Sequence, residues 1–180
     1  MKQIHKITIL YTELADYMVA CIRSLKEHEV LIQLIHWPIN PEAPFNLELR
    51  FLDQSYSRDK LDDRMLENEI DSFGPDLILC SGWLDKGYVA VCRKWHGRIP
   101  TVVAFDNRWT GGFKQRIATL ISPLYIQRSF SHAYVPGNAQ KKYALKLGFK
   151  DEDVKLGFYT ADVEKFNEYY TSRQLTQGDR

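Results

Sequence analysis

Short apolar runs alternate with longer amphipathic stretches along most of the chain. The apolar runs are rich in β-branched and aromatic residues and are apolar at successive positions; they cover 7–11, 30–35, 76–80, 101–105 and 132–135. Such runs are typical of strands that helices cover on both faces of a sheet. We therefore predict five buried strands at these positions.

The segment 47–52 has a different pattern. Apolar and charged side chains alternate there, in the order Leu47, Glu48, Leu49, Arg50 and Phe51. Strict alternation indicates a strand with one solvent-exposed face, so this segment is predicted to be an edge strand. The connection before it, 36–46, has no helical pattern, which leaves an extended crossover or an antiparallel hairpin open.

Five amphipathic stretches predict helices between these strands: 13–27, 58–73, 83–97, 113–124 and 139–148. Repeated strand–helix–strand units require parallel pairing, because each helix carries the chain back across a face of the sheet. With the segment 47–52 at one edge, the predicted fold is a Rossmann-like, doubly wound α/β sheet of about six or seven strands in the order 3-2-1-4-5-6.

Composition narrows the possible partners and location. The chain has 180 residues, 44% of them hydrophobic, which suits one domain. Its formal net charge of +1 gives no positive electrostatic field that would attract nucleic acid. No apolar run approaches the length of a bilayer span. Three cysteines lack metal-ligand or CxxC spacing and are interpreted as core residues in a reducing compartment, the cytoplasm. We expect a domain over 1–173 and a polar linker over 174–180.

Ligands of doubly wound sheets bind at the carboxyl ends of the strands, near the point where the strand order reverses. Three loops are predicted to meet there. Their candidate substrate-binding residues are Thr12 and Glu13 in the first loop, Ser81, Gly82 and Trp83 in the second, and Asn107, Arg108, Trp109, Gly111 and Gly112 in the third.

The third loop has the richest chemistry, since Asp106 directly follows a buried strand. Asp106 is the candidate catalytic residue: it could accept a proton or hold sugar hydroxyls, while Trp109 offers a stacking surface. Thr110 could cap the next helix and leave glycine amides open to a ligand. The alternative is that Asp106 and Asn107 only end the strand and shape a turn.

Several common sites are not indicated. The first loop lacks the G-x-G-x-x-G pattern, and Glu13 and Asp16 would repel a pyrophosphate, so a dinucleotide cofactor is not expected. No P-loop or G-x-S-x-G pattern is present, and the five histidines have no metal-ligand spacing.

A set of basic residues accompanies the fourth and fifth predicted helices: Lys114, Arg116, Arg128, Lys141, Lys142 and Lys146. Together with their apolar neighbours they could rest on anionic lipid, which would give a peripheral contact with the inner membrane face. The alternative is an ordinary solvated surface of packed helices.

The residues 132–166 resemble the end of the N-terminal domain in group 1 glycosyltransferases of the GT-B fold. Pro136-Gly137 match the end of a family strand, Gly148-Phe149 match the end of the next helix, and the segment 157–162 followed by Phe166 matches a family "NG-hydrophobic-D…F" motif. Leu156 stands where Asn is usual, and two extra residues precede the acid. The segments 75–83 and 99–107 resemble the two preceding family strands.

The resemblance implies one half of a two-domain hexosyltransferase, of retaining type, that moves a sugar from a nucleotide-sugar to a hydroxyl acceptor. In that family the N-terminal domain receives the acceptor, here a sugar or lipid-linked acceptor. A C-terminal domain, not present in this sequence, binds the donor, so no cofactor is implied beyond the nucleotide-sugar co-substrate. Some members place a histidine at the tip of the fifth strand, where this chain has Asp106-Asn107.

Two other functions stay open. The chain could be a stand-alone regulatory or sugar-sensing module; a receiver would use Glu13 and Asp16 as its acids and Asp53 as its phosphorylated residue. It could also be a protein–protein scaffold that kept the fold without an activity.

Overall fold

Seven strands form one all-parallel sheet in the computed structural model, which describes residues 3–39 and 47–160 and the single positions 163, 167, 170 and 171. The strands are β1 (Lys6–Tyr11), β2 (Leu31–His36), β3 (Gln54–Ser57), β4 (Leu77–Ser81), β5 (Thr101–Ala104), β6 (His132–Val135) and β7 (Val154–Leu156). Their order is β3-β2-β1-β4-β5-β6-β7. The predicted Rossmann-like order is confirmed, with β7 added beyond β6.

Five α-helices connect the strands in the described residues: α1 (Asp16–Lys26), α2 (Asp63–Phe73), α3 (Lys86–Trp95), α4 (Phe113–Ile121) and α5 (Asn138–Lys146). Local chemistry sets several of their ends. Asp62 and Asp85 cap α2 and α3, each accepting a hydrogen bond from the backbone amide three residues on. Gly74 ends α2 in the left-handed conformation, with φ 63°. The predicted helices 13–27, 58–73 and 83–97 all begin later than expected, the second and third of them at these aspartate caps.

Each face of the sheet has its own core, which explains why the strands are apolar at successive positions. Leu10, Ile78 and Val103 belong to the larger core, together with residues of α2, α3 and α5. Ile9 and Leu34 belong to the smaller core with residues of α1. Because neighbouring residues of a strand point to opposite faces, both cores draw on the same short runs.

The predicted edge strand at 47–52 is wrong; the edge strand is β3, immediately after it. The alternating residues are not paired with β2. Instead Leu47, Leu49 and Phe51 pack half-buried against the smaller core, and the Leu52 amide donates to the Leu49 carbonyl in a turn. The alternation therefore comes from side chains that pack on the core, and it does not mark a strand of the sheet. β3 pairs parallel to β2, so the connection is a crossover and not a hairpin.

Polar side chains help to hold the edge strand β3 in place. Gln33, which is fully buried in β2, accepts from the Thr8 hydroxyl at 2.9 Å and donates to the Gln54 side-chain oxygen at 2.7 Å. A continuous polar row thus runs across β1, β2 and β3. The middle of the crossover, 40–46, and the predicted linker at 174–180 lie outside the described residues, as do Asp162 and Phe166 of the family-like segment.

In the part of the chain that the structure describes, no helix combines the length and the hydrophobicity of a bilayer span.

Candidate functional site

A cleft of about 290 Å³ lies at the carboxyl edge of the sheet, where β1 and β4 adjoin and the strand order reverses. Its lining comes from the ends of β1, β4 and β5, from the start of α1 and from the chain after β7. The lining residues are Tyr11, Thr12, Glu13, Tyr17, Ser81, Gly82, Leu84, Ala104, Phe105, Asp106, Asn107, Phe158 and Tyr159. This is the position that the reversal of strand order predicts for a ligand.

A short polar bridge holds the first two loops together. The Thr12 amide donates to the Ser81 hydroxyl oxygen at 2.8 Å, and the two hydroxyl oxygens are 3.1 Å apart. Gly82 then turns the chain with φ 76°, and its amide donates to the Ala104 carbonyl at 2.8 Å. A left-handed residue is needed at this turn, which favours glycine. The floor of the cleft is therefore fixed by β1, β4 and β5 jointly.

Three tyrosines form one wall of the cleft. The rings of Tyr17 and Tyr159 meet edge to face, with centroids 5.2 Å apart. Burial raises the pKa of Tyr11 and of Tyr159 far above the usual tyrosine value, and the neighbouring phenols raise the Tyr11 pKa further. Both phenols therefore stay protonated at any physiological pH.

Two exposed carboxylates, Glu13 and Asp106, supply the charge of the cleft. The negative charge of Asp106 contributes to the raised pKa of Tyr159, which places the two groups within electrostatic reach of each other. Among the lining residues that the structure describes there is no Lys, Arg or His. The cleft therefore carries hydrogen-bond acceptors, hydroxyls and aromatic rings, with no cation for a phosphate.

The cleft brings together Thr12, Glu13, Ser81, Gly82, Asp106 and Asn107 of the candidate residues. Trp83 does not line it; the indole packs on Phe105 and Tyr143, with ring centroids 5.4 and 6.4 Å away. Trp109 also packs on Tyr143, and the Lys146 ammonium lies 5.0 Å from the Trp109 ring centroid. Both tryptophans thus contribute to packing beside the cleft.

The remaining third-loop candidates, Arg108, Gly111 and Gly112, build the entry into α4. The side-chain oxygen of Gln115 accepts from the amides of Thr110 and Gly111 and from the Thr110 hydroxyl, at 2.8 to 3.1 Å. The Gln115 amide group donates to the Arg108 carbonyl at 2.7 Å. The expected Thr110 cap is therefore wrong: a residue inside the helix reaches back, and the Gly111 amide is occupied.

Sequence reasoning did not select Tyr17, Leu84, Phe158 or Tyr159 as site residues. Phe158 and Tyr159 follow β7, at the far edge of the sheet, yet Tyr159 reaches Tyr17 in α1. The chain after β7 therefore returns across the carboxyl ends of the strands. No local pattern encodes that return; the one available signal was the family-like segment that contains both residues.

The receiver interpretation is wrong, because Asp53 lies before β3 and not after it. Its carboxylate accepts from the Ile32 amide and from the Lys26 ammonium, both at 2.7 Å. Burial alone would raise the pKa of Asp53, but these hydrogen bonds outweigh it and lower the pKa. Asp53 is thus a structural link at the amino edge of the sheet.

No group of three His, Cys, Asp or Glu side chains in the described residues could hold a metal ion. Of the three cysteines, Cys80 and Cys92 are buried in the larger core, as the sequence predicted.

Comparisons with known proteins agree with this architecture at the level of the fold. No protein-family model matches the sequence, and no curated protein matches it significantly. Among solved structures, UDP-N-acetylglucosamine 2-epimerase from Rickettsia bellii matches with a TM-score of 0.60 and 13% identity, over 96% of this chain and 49% of that chain. A second UDP-N-acetylglucosamine 2-epimerase matches with a TM-score of 0.56 and 13% identity, over 86% of this chain and 48% of the other.

The chain therefore spans about half the length of the solved proteins that it matches. Those proteins have a GT-B-like fold, so the resemblance to GT-B glycosyltransferases is supported for the fold. The chain has the Rossmann-like architecture of one half of such a protein.

Proposed function

We propose that this chain is the acceptor-binding half of a glycosyltransferase, which moves a sugar from a nucleotide-sugar to a hydroxyl group of a glycan or a lipid-linked acceptor. The observation that carries the proposal is the composition of the cleft: two carboxylates, several hydroxyls and aromatic rings, and no cation among its described lining residues. A diphosphate would be repelled by Glu13 and Asp106.

A polyhydroxylated acceptor suits this lining. Carboxylates accept short, charge-assisted hydrogen bonds from sugar hydroxyls, and the partly exposed rings of Tyr17 and Tyr159 offer apolar surface to the C–H faces of a sugar. The protonated phenol of Tyr159, which is partly exposed, adds a hydroxyl group. Phosphates, in contrast, are recognised mainly by Arg and Lys, which the described lining lacks, and the N-terminus of α1 beside the cleft carries the acidic Asp16 in its first turn.

In the proposed reaction Asp106 is the residue that touches the reacting hydroxyl. As the acceptor oxygen forms its bond to the anomeric carbon, the bond from that carbon to the phosphate oxygen breaks, and the nucleoside diphosphate leaves. Asp106 takes the hydroxyl proton, and Glu13 holds a second hydroxyl of the acceptor. Much of the catalytic effect would come from positioning the two substrates.

The donor is assigned to a second domain, a partner that this sequence does not contain. The matched structures are about twice as long as the stretch that aligns, which supports a two-part protein. On this proposal the chain alone transfers no sugar and needs no cofactor beyond the nucleotide-sugar.

A second candidate function is epimerisation of a nucleotide-sugar, favoured by the two matched epimerases. In that case the cleft would hold the sugar of the nucleotide-sugar itself, and no separate acceptor would bind. The two functions therefore predict different ligands for this chain.

Saturation-transfer NMR on the 180-residue chain separates them. The probes are a panel of methyl glycosides, UDP-glucose and UDP-N-acetylglucosamine. We expect transfer to at least one glycoside, displaced by a longer glycan that contains the same sugar, and no transfer to either nucleotide-sugar. Saturation transfer to a nucleotide-sugar with none to any glycoside would contradict the proposal, and for UDP-N-acetylglucosamine it would favour the second candidate.

A further inference from the structure

The helix α4 presents its apolar side to solvent and its polar side to the domain. Phe113 and Leu120 are each 80% exposed, and Ile117 and Ile121 are 42% and 45% exposed. No residue of α4 is buried. The side chains that face the domain are instead small or polar: Gln115, Ala118 and Thr119, followed by the buried Ser122 just beyond the helix.

The apolar positions form one stripe. Phe113, Ile117, Leu120 and Ile121 follow the i, i+4, i+7, i+8 spacing of a single helix face, and the short turn after the helix adds Leu124, which is 66% exposed. A contiguous exposed apolar surface of this kind marks a place of interaction.

Cations border the stripe on both sides. At about 100° per residue, Lys114 and Arg116 fall on opposite flanks of the apolar face. Both side chains are exposed. An apolar stripe with basic residues along its borders is the pattern of a helix that lies in a membrane interface.

The surrounding sequence is basic without interruption. Residues 107–150 contain eight Lys or Arg and no Asp or Glu, although the whole chain carries only +1. The eight are Arg108, Lys114, Arg116, Arg128, Lys141, Lys142, Lys146 and Lys150. Among the described residues, Lys141 and Lys150 have acidic partners, Asp151 and Glu152, just after this region. The excess of positive over negative charge is therefore concentrated on α4, α5 and their connections.

We propose that the outer face of α4, continued by Leu124, docks on a membrane surface that contains anionic lipid. The apolar stripe would enter the acyl boundary while the flanking cations contact the headgroups. A second copy of the chain fits this face poorly, because a twofold contact would place two basic surfaces against each other. The proposal goes beyond the proposed function and does not depend on it.

Vesicle co-sedimentation of the 180-residue chain tests the proposal. We expect binding to vesicles of phosphatidylcholine with phosphatidylglycerol, weakened by added salt, and little binding to phosphatidylcholine alone. The triple variant Phe113→Ser, Leu120→Ser and Leu124→Ser should bind at least about tenfold more weakly, because it removes most of the apolar stripe. The double variant Lys114→Gln and Arg116→Gln should lose most of the preference for phosphatidylglycerol.

The three apolar residues are exposed, so their replacement should leave the melting temperature unchanged. Met65→Ser, an exposed apolar change on α2, is the matched control and should bind like the unaltered chain. The proposal is overturned if the unaltered chain does not bind anionic vesicles, or if the triple variant binds them as strongly as the unaltered chain does. A dimer in solution that the triple variant dissociates, with no vesicle binding, would assign the face to a second copy.

Discussion

At the scale of single residues, Asp106 distinguishes two interpretations of the loop after β5: the proposed acceptor site and a simple turn. The carboxylate is exposed in the cleft, and no side-chain hydrogen bond is found for it within the described residues. A turn-forming aspartate would be expected to bond to nearby backbone. Asp106 is thus available to a ligand hydroxyl.

We therefore expect Asp106→Asn to weaken glycoside binding by about tenfold, because an amide oxygen accepts a weaker hydrogen bond than a carboxylate. Titration calorimetry with the glycoside selected from the NMR panel measures the change. Glu27→Gln, at the exposed end of α1, is the matched control and should bind normally. If Asp106→Asn binds the glycoside with unchanged affinity, Asp106 serves only to form the turn.

The limits of sequence reasoning at this scale are clear from Trp83 and Trp109. Both follow strands at the carboxyl edge, where a ligand was expected, but burial of their large rings against Tyr143 decides their orientation. Thr12, Ser81 and Asp106 were predictable because the strand order alone brings their loops together. Tyr159 was not, since its approach depends on the path of the chain after β7.

At the scale of secondary-structure elements, the buried strands were predictable and the edge was not. Four of the predicted strands shift by no more than a residue or two and β6 is unchanged, because runs that are apolar on both faces must be covered on both faces. The segment 47–52 has the alternating pattern of a strand but is not a strand of the sheet. The helix α4 has the spacing of an amphipathic helix but exposes its apolar face to solvent. Periodicity gives the spacing of the apolar face and not the direction in which that face points.

Arg58 stabilises the elements around β3 through a buried network. Its guanidinium donates to Asp85 at 3.3 Å and to Asp63 at 2.6 Å, also bonds to the Leu61 carbonyl, and lies 5.7 Å from the centroid of the Tyr88 ring. The side chains of Arg58 and Asp85 are only 10% and 7% exposed. Removing the cation leaves a buried carboxylate without its charge partner.

We expect Arg58→Ala to lower the free energy of unfolding by about 3 kcal/mol, within the range for breaking a buried ion pair. Urea denaturation followed by circular dichroism measures it. Lys94→Ala is the matched control: Lys94 pairs with Glu67 and Asp71 in an exposed setting, so its loss should change stability little. Equal effects of the two variants would contradict the role given to the Arg58 network.

Asp53 connects α1, β2 and the start of β3, and its contribution should depend on pH. Its pKa in the folded chain is lowered, so its stabilising effect is present above the usual Asp value of about 4 and is lost as the pH falls through the folded pKa. We expect Asp53→Asn to be less stable than the unaltered chain at neutral pH, with the difference shrinking in acid. A difference that stays constant from neutral pH to pH of about 3 would contradict this account.

At the scale of the whole molecule, the strand order determines where the chemistry lies. β1 and β4 adjoin where the strand order reverses, and the chain after β7 lines the same carboxyl edge of the sheet. The cleft is negatively charged, whereas α4, α5 and their connections carry a net positive charge. This division fits a domain that receives a neutral, hydroxyl-bearing ligand at one edge and rests on an anionic surface along another.

We propose that the negative charge of the cleft selects a hydroxyl-bearing acceptor and rejects a diphosphate. The most direct measurement is calorimetric titration of UDP and of the selected glycoside into the unaltered chain and into the double variant Glu13→Gln and Asp106→Asn. We predict that the unaltered chain binds the glycoside and not UDP, and that the double variant loses glycoside affinity while its affinity for UDP rises or stays below detection. Tight UDP binding by the unaltered chain, or glycoside binding that survives removal of both carboxylates, would contradict it.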